Sequence, residues 1–270
     1  MRPARQPGTG GLHRNVVPLA RAHLAKMRRC EDFPPVIAEQ AQFLSDQGYL
    51  RPRRAAPEVI QRAREEFYGC IADKDRSRTY AGGATIYALK PLVNMSSIQR
   101  LITDELDAVL RAYYEGPYLI DAVRAWRNHH IPAQDSTVDV GISNAFHNDG
   151  CDRKNLTLFI LLSDGVTRDT GATRFHPKHR LARIVRRLGF FSPGWKTAAV
   201  KRELLDNLTY FEGDAGDIMV RNVQECLHAF SIPSKGTFRD MLAFVIHPGQ
   251  ENVSREELFT RIPADNQIGA

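Results

Sequence analysis

A mainly β fold, a barrel or jelly roll buttressed by N-terminal helices, is predicted by three features of this sequence. Apolar residues recur at helical spacing in the first half, the spacing changes after Pro132, and the later apolar runs are short and separated by turn-forming residues. Helices first and many short strands afterwards suit a sheet closed or folded on itself with helices against it.

The elements follow in order. Pro57 can open a helix in which Val59, Ile60, Ala63, Phe67 and Ile71 keep a three-to-four spacing. A second helix is predicted over 97–114, where Ile98, Leu101, Ile102, Leu106, Val109, Leu110 and Tyr113 form one stripe and Gly116-Pro117 stops it. A third is predicted over 119–126. Beyond Pro132, Val138, Val140 and Ile142 alternate with Asp139, Gly141 and Ser143, the pattern of a half-buried strand.

Residues 156–162 form a continuous apolar run, read as a buried strand. Shorter strands are expected over 172–175, 217–220, 225–230 and 238–246. Ser163-Asp164-Gly165, Asp214-Ala215-Gly216 and Pro233-Ser234-Lys235-Gly236 supply the turns between them. The basic stretch 180–212 interrupts the strands and reads as an insertion over one end of the barrel. The expected organisation is therefore a basic N-terminal arm (1–40) and a single domain (41–270). Within that domain the helical part is 41–130 and the β core 131–250.

The whole chain bounds the function. Its 270 residues suffice for one well-buried core, and 43% hydrophobic with 25% charged residues is ordinary for a globular protein. No apolar run reaches the roughly 20 residues of a membrane-spanning helix, so no membrane role is expected. Cys30, Cys70, Cys151 and Cys226 are widely spaced, which argues against a disulfide framework or a zinc site and for a reducing, cytoplasmic setting. Cys151 and Cys226 read as buried or partly buried thiols. The net charge of +6 allows a nucleic-acid partner, an anionic substrate or simply a basic surface. Six Arg, one Lys and no acidic residue lie between Met1 and Cys30. That composition suits a loosely attached arm, or an organelle-targeting segment.

The chemistry centres on Phe146-His147-Asn148-Asp149-Gly150. In extended chain, side chains two apart share a face, so His147 and Asp149 can converge on one cation, and Gly150 lets the chain turn away. Two His and one carboxylate on one face of an iron(II) ion leave three positions for a bidentate ligand and molecular oxygen. His228, on another short strand after a Gly-Asp turn, is the candidate third ligand. Among nine histidines only His147 is followed two residues later by an acid, but such a triplet alone better suits a surface pair at a strand end.

The downstream context changes that balance. Eleven residues after His228, Arg239 opens an apolar strand. A 2-oxoglutarate that chelates iron through its 1-carboxylate and keto oxygen needs a cation for its far carboxylate. Arg suits the task because its planar fork can pair both oxygens. The competing reading is a surface Arg on an edge strand.

Four blocks in order make the sequence resemble the phytanoyl-CoA dioxygenase family of iron(II)/2-oxoglutarate oxygenases. They are residues 146–150, the strand 155–164 followed by 170–179, the Gly216-Asp217 strand leading to His228, and the His228-to-Arg239 spacing. Residues 43–49 resemble the family's opening segment. The resemblance implies a double-stranded β-helix (a jelly-roll, cupin-like core). It implies iron on His147, Asp149 and His228, and 2-oxoglutarate on Arg239 with contacts from Asn144 and Thr173. Two departures stand out. Phe230 replaces a small hydroxyl residue, and Pro177-Lys178-His179 shortens a family segment, whose His176 and His179 read as turn or surface residues.

An intact Asp149 favours hydroxylation, or a desaturation or ring closure, with release of succinate and carbon dioxide. The expected partner is a small organic molecule, which the basic stretch 180–212 could recruit in anionic, coenzyme A-linked or carrier-linked form. The alternatives are an oxygenase acting on a protein or nucleic acid, and a catalytically silent jelly-roll binding module. His129-His130 reads as a strand-end pair, since neighbouring side chains diverge. The sequence leaves the oligomeric state open.

Overall fold

The computed structural model describes residues 33–80, 84–131, 146–149, 154–180 and 207–262. Among them, no helix is long and apolar enough to cross a membrane. The expected strand around Val140, Asn144, Cys151, most of the basic arm and most of the 180–212 insertion lie outside the described residues.

The chain enters as α1 (Pro35–Gln47), with proline at its first turn, where a missing N–H costs nothing. The helix begins inside the expected arm because Pro34 and Pro35 preset the dihedrals that start it. Gly48 ends it in the left-handed conformation (φ 77°) and turns directly into β1 (Tyr49–Leu50). A Cβ at Gly48 would also lie 2.7 Å from Cys226 Sγ, so glycine is required twice over. Then come α2 (Pro57–Ala72), the hairpin β2 (Ser77–Tyr80) and β3 (Thr85–Ala88), and the short α3 (Pro91–Asn94).

The helix predicted over 97–114 is broken. Residues Ser96–Leu101 form a 3₁₀ turn and α4 runs Asp104–Tyr114. Thr103 explains the break, because its hydroxyl accepts the Leu106 N–H and caps a fresh start, with Asp104, Glu105 and Asp107 in the positive first turn. α2, by contrast, matches its expected stripe, burying Val59, Ile60, Ala63 and Phe67.

The helix predicted over 119–126 is instead β4 (Tyr118–His129), a strand of twelve residues. Opposite it, Ile246 pairs with Ile120 and Val245 with Ala122, so Asp121 is an extra residue in a bulge. The bulge puts Tyr118, Ile120, Val123 and Ala125 in one core. Their gaps of two, three and two imitate a helical stripe, which is why the spacing misleads.

The remaining elements are β5 (Leu156–Leu161), β6 (Thr173–Phe175), β7 (Thr209–Phe211), β8 (Ile218–Asn222), β9 (His228–Phe230), β10 (Phe238–Pro248) and the capped α5 (Arg255–Thr260). β7 falls within the stretch read as an insertion, so the end of that stretch belongs to a sheet.

Two antiparallel sheets result among the described residues. One has seven strands in the order β1-β8-β5-β10-β4-β3-β2, and the other three in the order β7-β6-β9. α1, α2 and α4 cover one face of the large sheet, with Leu44, Phe67 and Leu110 packed on Leu158, Val220 and Phe244. Each such side chain, fully buried, contributes roughly 1.5–3 kcal/mol. The opposite face joins the small sheet in a second apolar cluster, where Leu161, Met219 and Met241 meet Phe175 and Phe211. The alternation of strand side chains thus divides each central strand between a helical side and a space between sheets.

Candidate metal centre

His147, Asp149 and His228 come together at the end of that inter-sheet space. One potential ligand atom from each lies within 4.8 Å of the others. His147 and His228 form an isolated antiparallel bridge, exchanging N–H to carbonyl hydrogen bonds of 2.9 Å in both directions. Their rings lie 4.3 Å apart between centroids. Two residues on, the Asp149 N–H reaches the Val223 carbonyl at 3.4 Å, and the Asp149 side chain stays 42% exposed. His228 is buried at the start of β9.

The chemistry of these three groups fits a cation. His228 Nδ1 lies 2.9 Å from the Cys226 carbonyl, which can only accept, so Nδ1 carries the proton. Burial, with the neighbouring Arg221 charge, pushes the His228 pKa down to about 4, so its ring is neutral and Nε2 holds a lone pair. That Nε2 faces Asp149 Oδ1 at 3.3 Å. Partial burial alone would raise the Asp149 pKa, but the positive surroundings, the Arg221 charge among them, outweigh it and keep the carboxyl below its ordinary value. Two lone pairs at this distance repel, and His147 Nε2 stands 3.5 Å from the same oxygen. A metal ion between them turns the repulsion into coordination.

Arg239 is not on an edge strand. It lies on β10 in the middle of the large sheet, 2% exposed, and projects between the sheets. Its Nη1 donates to the Gly171 carbonyl at 2.7 Å and to Thr173 Oγ1 at 2.9 Å, and its Nη2 donates to Asn128 Oδ1 at 2.6 Å. Nε has no partner. Burial, helped by Arg221, lowers its pKa to about 10, so it remains charged at neutral pH. Thr173 is buried on β6 and directly holds this guanidinium. Phe230 sits under it, its ring 5.6 Å from Arg239 Cζ. The arrangement presents a fixed, buried cation held by Thr173, whose strand partner Phe230 lies two residues from His228 on β9.

Two residues of this region escape sequence reasoning. Asn128 orients Arg239 while accepting from Trp126 Nε1 and donating to Thr85, but it lies just beyond the stretch 119–126 misread as helical. Arg221 is a fully buried cation on β8, and its only sequence signal is a charge inside an otherwise apolar strand run. His176 is buried rather than at the surface, near the Phe146 ring, whereas His179 is exposed as expected. Cys226 is buried, and burial pushes its thiol up to about 12. His129 ends β4 and His130 contacts the Pro233 carbonyl, so neither joins the cluster.

Fold and cluster together define a class: a two-sheet antiparallel protein carrying two histidines and one carboxylate able to hold a metal ion. No protein-family model matches the chain, and no curated protein matches it. Solved structures do resemble it. SnoN, a non-haem α-ketoglutarate-dependent epimerase from nogalamycin biosynthesis, was determined with Fe3+, α-ketoglutarate and nogalamycin RO. It matches with a TM-score of 0.59 and 16% identity, over 79% of this chain and 84% of its own. The α-ketoglutarate-dependent carbocyclase SnoK matches at 0.55 and 14% identity, over 89% and 95%. EctD from S. alaskensis, determined with 2-oxoglutarate and 5-hydroxyectoine, matches at 0.52 and 14%, over 78% and 75%. At such identities the likeness is one of fold.

Proposed function

We propose that this protein is an iron(II)- and 2-oxoglutarate-dependent oxygenase that oxidises a small organic substrate. The observation that carries the reading is the apposition of His228 Nε2 and Asp149 Oδ1, both lone-pair donors, with His147 alongside. The two sheets are then the halves of a double-stranded β-helix with the metal near its mouth, as the fold likeness to 2-oxoglutarate enzymes supports.

In this reading His147, Asp149 and His228 hold iron(II), and Arg239 takes the far carboxylate of 2-oxoglutarate. Bound iron would supply the oxidising chemistry that converts 2-oxoglutarate and oxygen to succinate and carbon dioxide. The chain supplies position. Thr173 and Asn128 fix the Arg239 fork before the co-substrate arrives, so little ordering remains on binding. Arg239 Nε, without a partner among the described residues, and the second N–H of Nη2 are the donors left for a carboxylate. Asn144 is a further co-substrate contact on the strength of the family resemblance. Hydroxylation, desaturation and ring closure all suit an intact Asp149.

The test is anaerobic addition of iron(II), then 2-oxoglutarate, to metal-free protein while watching for the visible metal-to-ligand charge-transfer band. The band is expected in the native protein and absent in Asp149→Ala and Arg239→Ala. A folded native protein without the band would leave a binding module as the better description. Turnover on a protein or nucleic acid, and on no small molecule, would replace the substrate class.

A further inference from the structure

Arg221 is a buried cation that the proposed machinery does not use. It is 1% exposed, and its Nε and Nη1 have no hydrogen-bond partner among the described residues. Its side chain is held rather than loose, with Cζ 4.8 Å from the Phe159 ring centre and 5.7 Å from that of Phe175. On β8, Ile218 and Val220 pack on the helices, while Met219 lies in the inter-sheet cluster. Strand alternation therefore sends Arg221 into the space between the sheets. Its charge acts on both Asp149 and His228.

An unpaired charge in such a place is costly, and stacking on two rings offsets only part of the cost. Among the described residues, nearby acids do not account for it. Asp149 is the metal's ligand in this reading, and the Cys226 thiol is neutral. Formal charges sharpen the point. Divalent iron, Asp149, Arg239 and the two carboxylates of 2-oxoglutarate sum to zero, leaving Arg221 as uncompensated positive charge. Both co-substrate carboxylates are already provided for, one by the metal and one by Arg239.

We propose that Arg221 is the anchor for an anionic group, a carboxylate or phosphate, on the oxidised substrate. This deepens the oxygenase reading and rests on it. Phe159 and Phe175 hold the guanidinium, so that its Nε and Nη1 N–H groups, which have no partner among the described residues, are left to donate to oxygens of the anion. The substrate is thereby tethered beside the metal by one end.

The test follows the arginine Nε–H signals of [15N]arginine-labelled protein by NMR, with zinc(II) as a redox-inert stand-in for iron. Signals are assigned by their loss in Arg221→Lys and Arg239→Lys. First 2-oxoglutarate is added to saturation, then acetate, benzoate or inorganic phosphate. The expected result is that Arg239 moves with 2-oxoglutarate and that Arg221 moves, saturably, only with an added anion. Arg221→Met should weaken that anion's binding about tenfold or more.

An Arg221 signal that moves with 2-oxoglutarate and ignores the other anions would assign the anchor to the co-substrate and overturn the proposal. One that responds to neither would make Arg221 a counter-charge to Asp149, with the same consequence. Failure of Arg239 to respond would instead count against the oxygenase reading, independently of Arg221. Melting of the metal-free protein gives a second check. Arg221→Met should raise the melting temperature, because a costly unpaired cation is replaced by an apolar chain of similar length. A lower melting temperature would show that the cation serves the fold, and would overturn the proposal too.

Discussion

His147 and His228 are joined by two reciprocal backbone hydrogen bonds of 2.9 Å, so the metal cluster is built on a piece of antiparallel ladder. The backbone sets the distance between the two rings before any metal arrives. The third group, Asp149, is held by one longer backbone contact and remains partly exposed. Different consequences follow from replacing each.

Replacing Asp149 with Ala should abolish tight metal binding with little loss of fold, because its side chain is 42% exposed. Metal content after anaerobic loading should fall at least tenfold, while the far-ultraviolet spectrum stays native. In the native protein, chelation should lower the melting temperature, since the metal binds only the folded chain. A metal-loaded Asp149→Ala protein would argue that the cluster is not the metal site.

Asn128→Ala should act on the co-substrate and spare the metal. It removes the acceptor that meets Arg239 Nη2 at 2.6 Å, leaving a buried donor unpaired and the fork free to turn. The 2-oxoglutarate concentration at half-saturation should rise about tenfold to a hundredfold. Iron affinity should be unchanged. Titration of the charge-transfer band separates the two quantities, and a loss of both together would mark a folding defect.

Asp240→Asn should destabilise the protein by about 3–5 kcal/mol, as breaking a buried ion pair does. Asp240 is fully buried and receives two hydrogen bonds of 2.7 Å from Arg127, whose guanidinium also lies 3.9 Å from the Phe238 ring centre. Urea unfolding measures the loss. Asp240→Leu combined with Arg127→Met should recover part of it, because the second change removes the stranded charge.

Acid should release a contact between α2 and the 3₁₀ turn. Burial opposes ionisation of Glu66, but the hydroxyl and N–H of Ser97 and the hydroxyl of Ser96 outweigh it and lower its pKa. A carboxyl depressed in the folded state stabilises the protein above its unfolded pKa. That stability is lost as pH falls through the lower, folded value. Glu66→Gln should therefore flatten the acid limb of stability against pH below the ordinary glutamate range. An unchanged acid limb would mean that this contact contributes nothing.

α2 was legible because its apolar spacing is strict and Pro57 marks its start, and the strands around Leu158 and Phe244 were legible because apolar runs bounded by turns have few other solutions. β4 was not. The bulge at Asp121 shifts the period, and the sequence does not display the partner strand that creates it. The small β7 and the β2–β3 hairpin were missed for a related reason, since short, half-buried strands carry too few apolar positions to set a period.

By itself the sequence determined the pairing of His147 with Asp149, because a two-residue spacing in extended chain is local geometry, and it singled out His228 and Arg239 by their spacing. Only the tertiary structure decided that His228 meets them through a ladder bond, that Arg239 is buried in a central strand on Asn128, and that Arg221 Nε and Nη1 lack a partner among the described residues. The physical reason is the same in each case. Burial and partnership depend on which strands lie side by side, and strand order is a long-range property that no local spacing records.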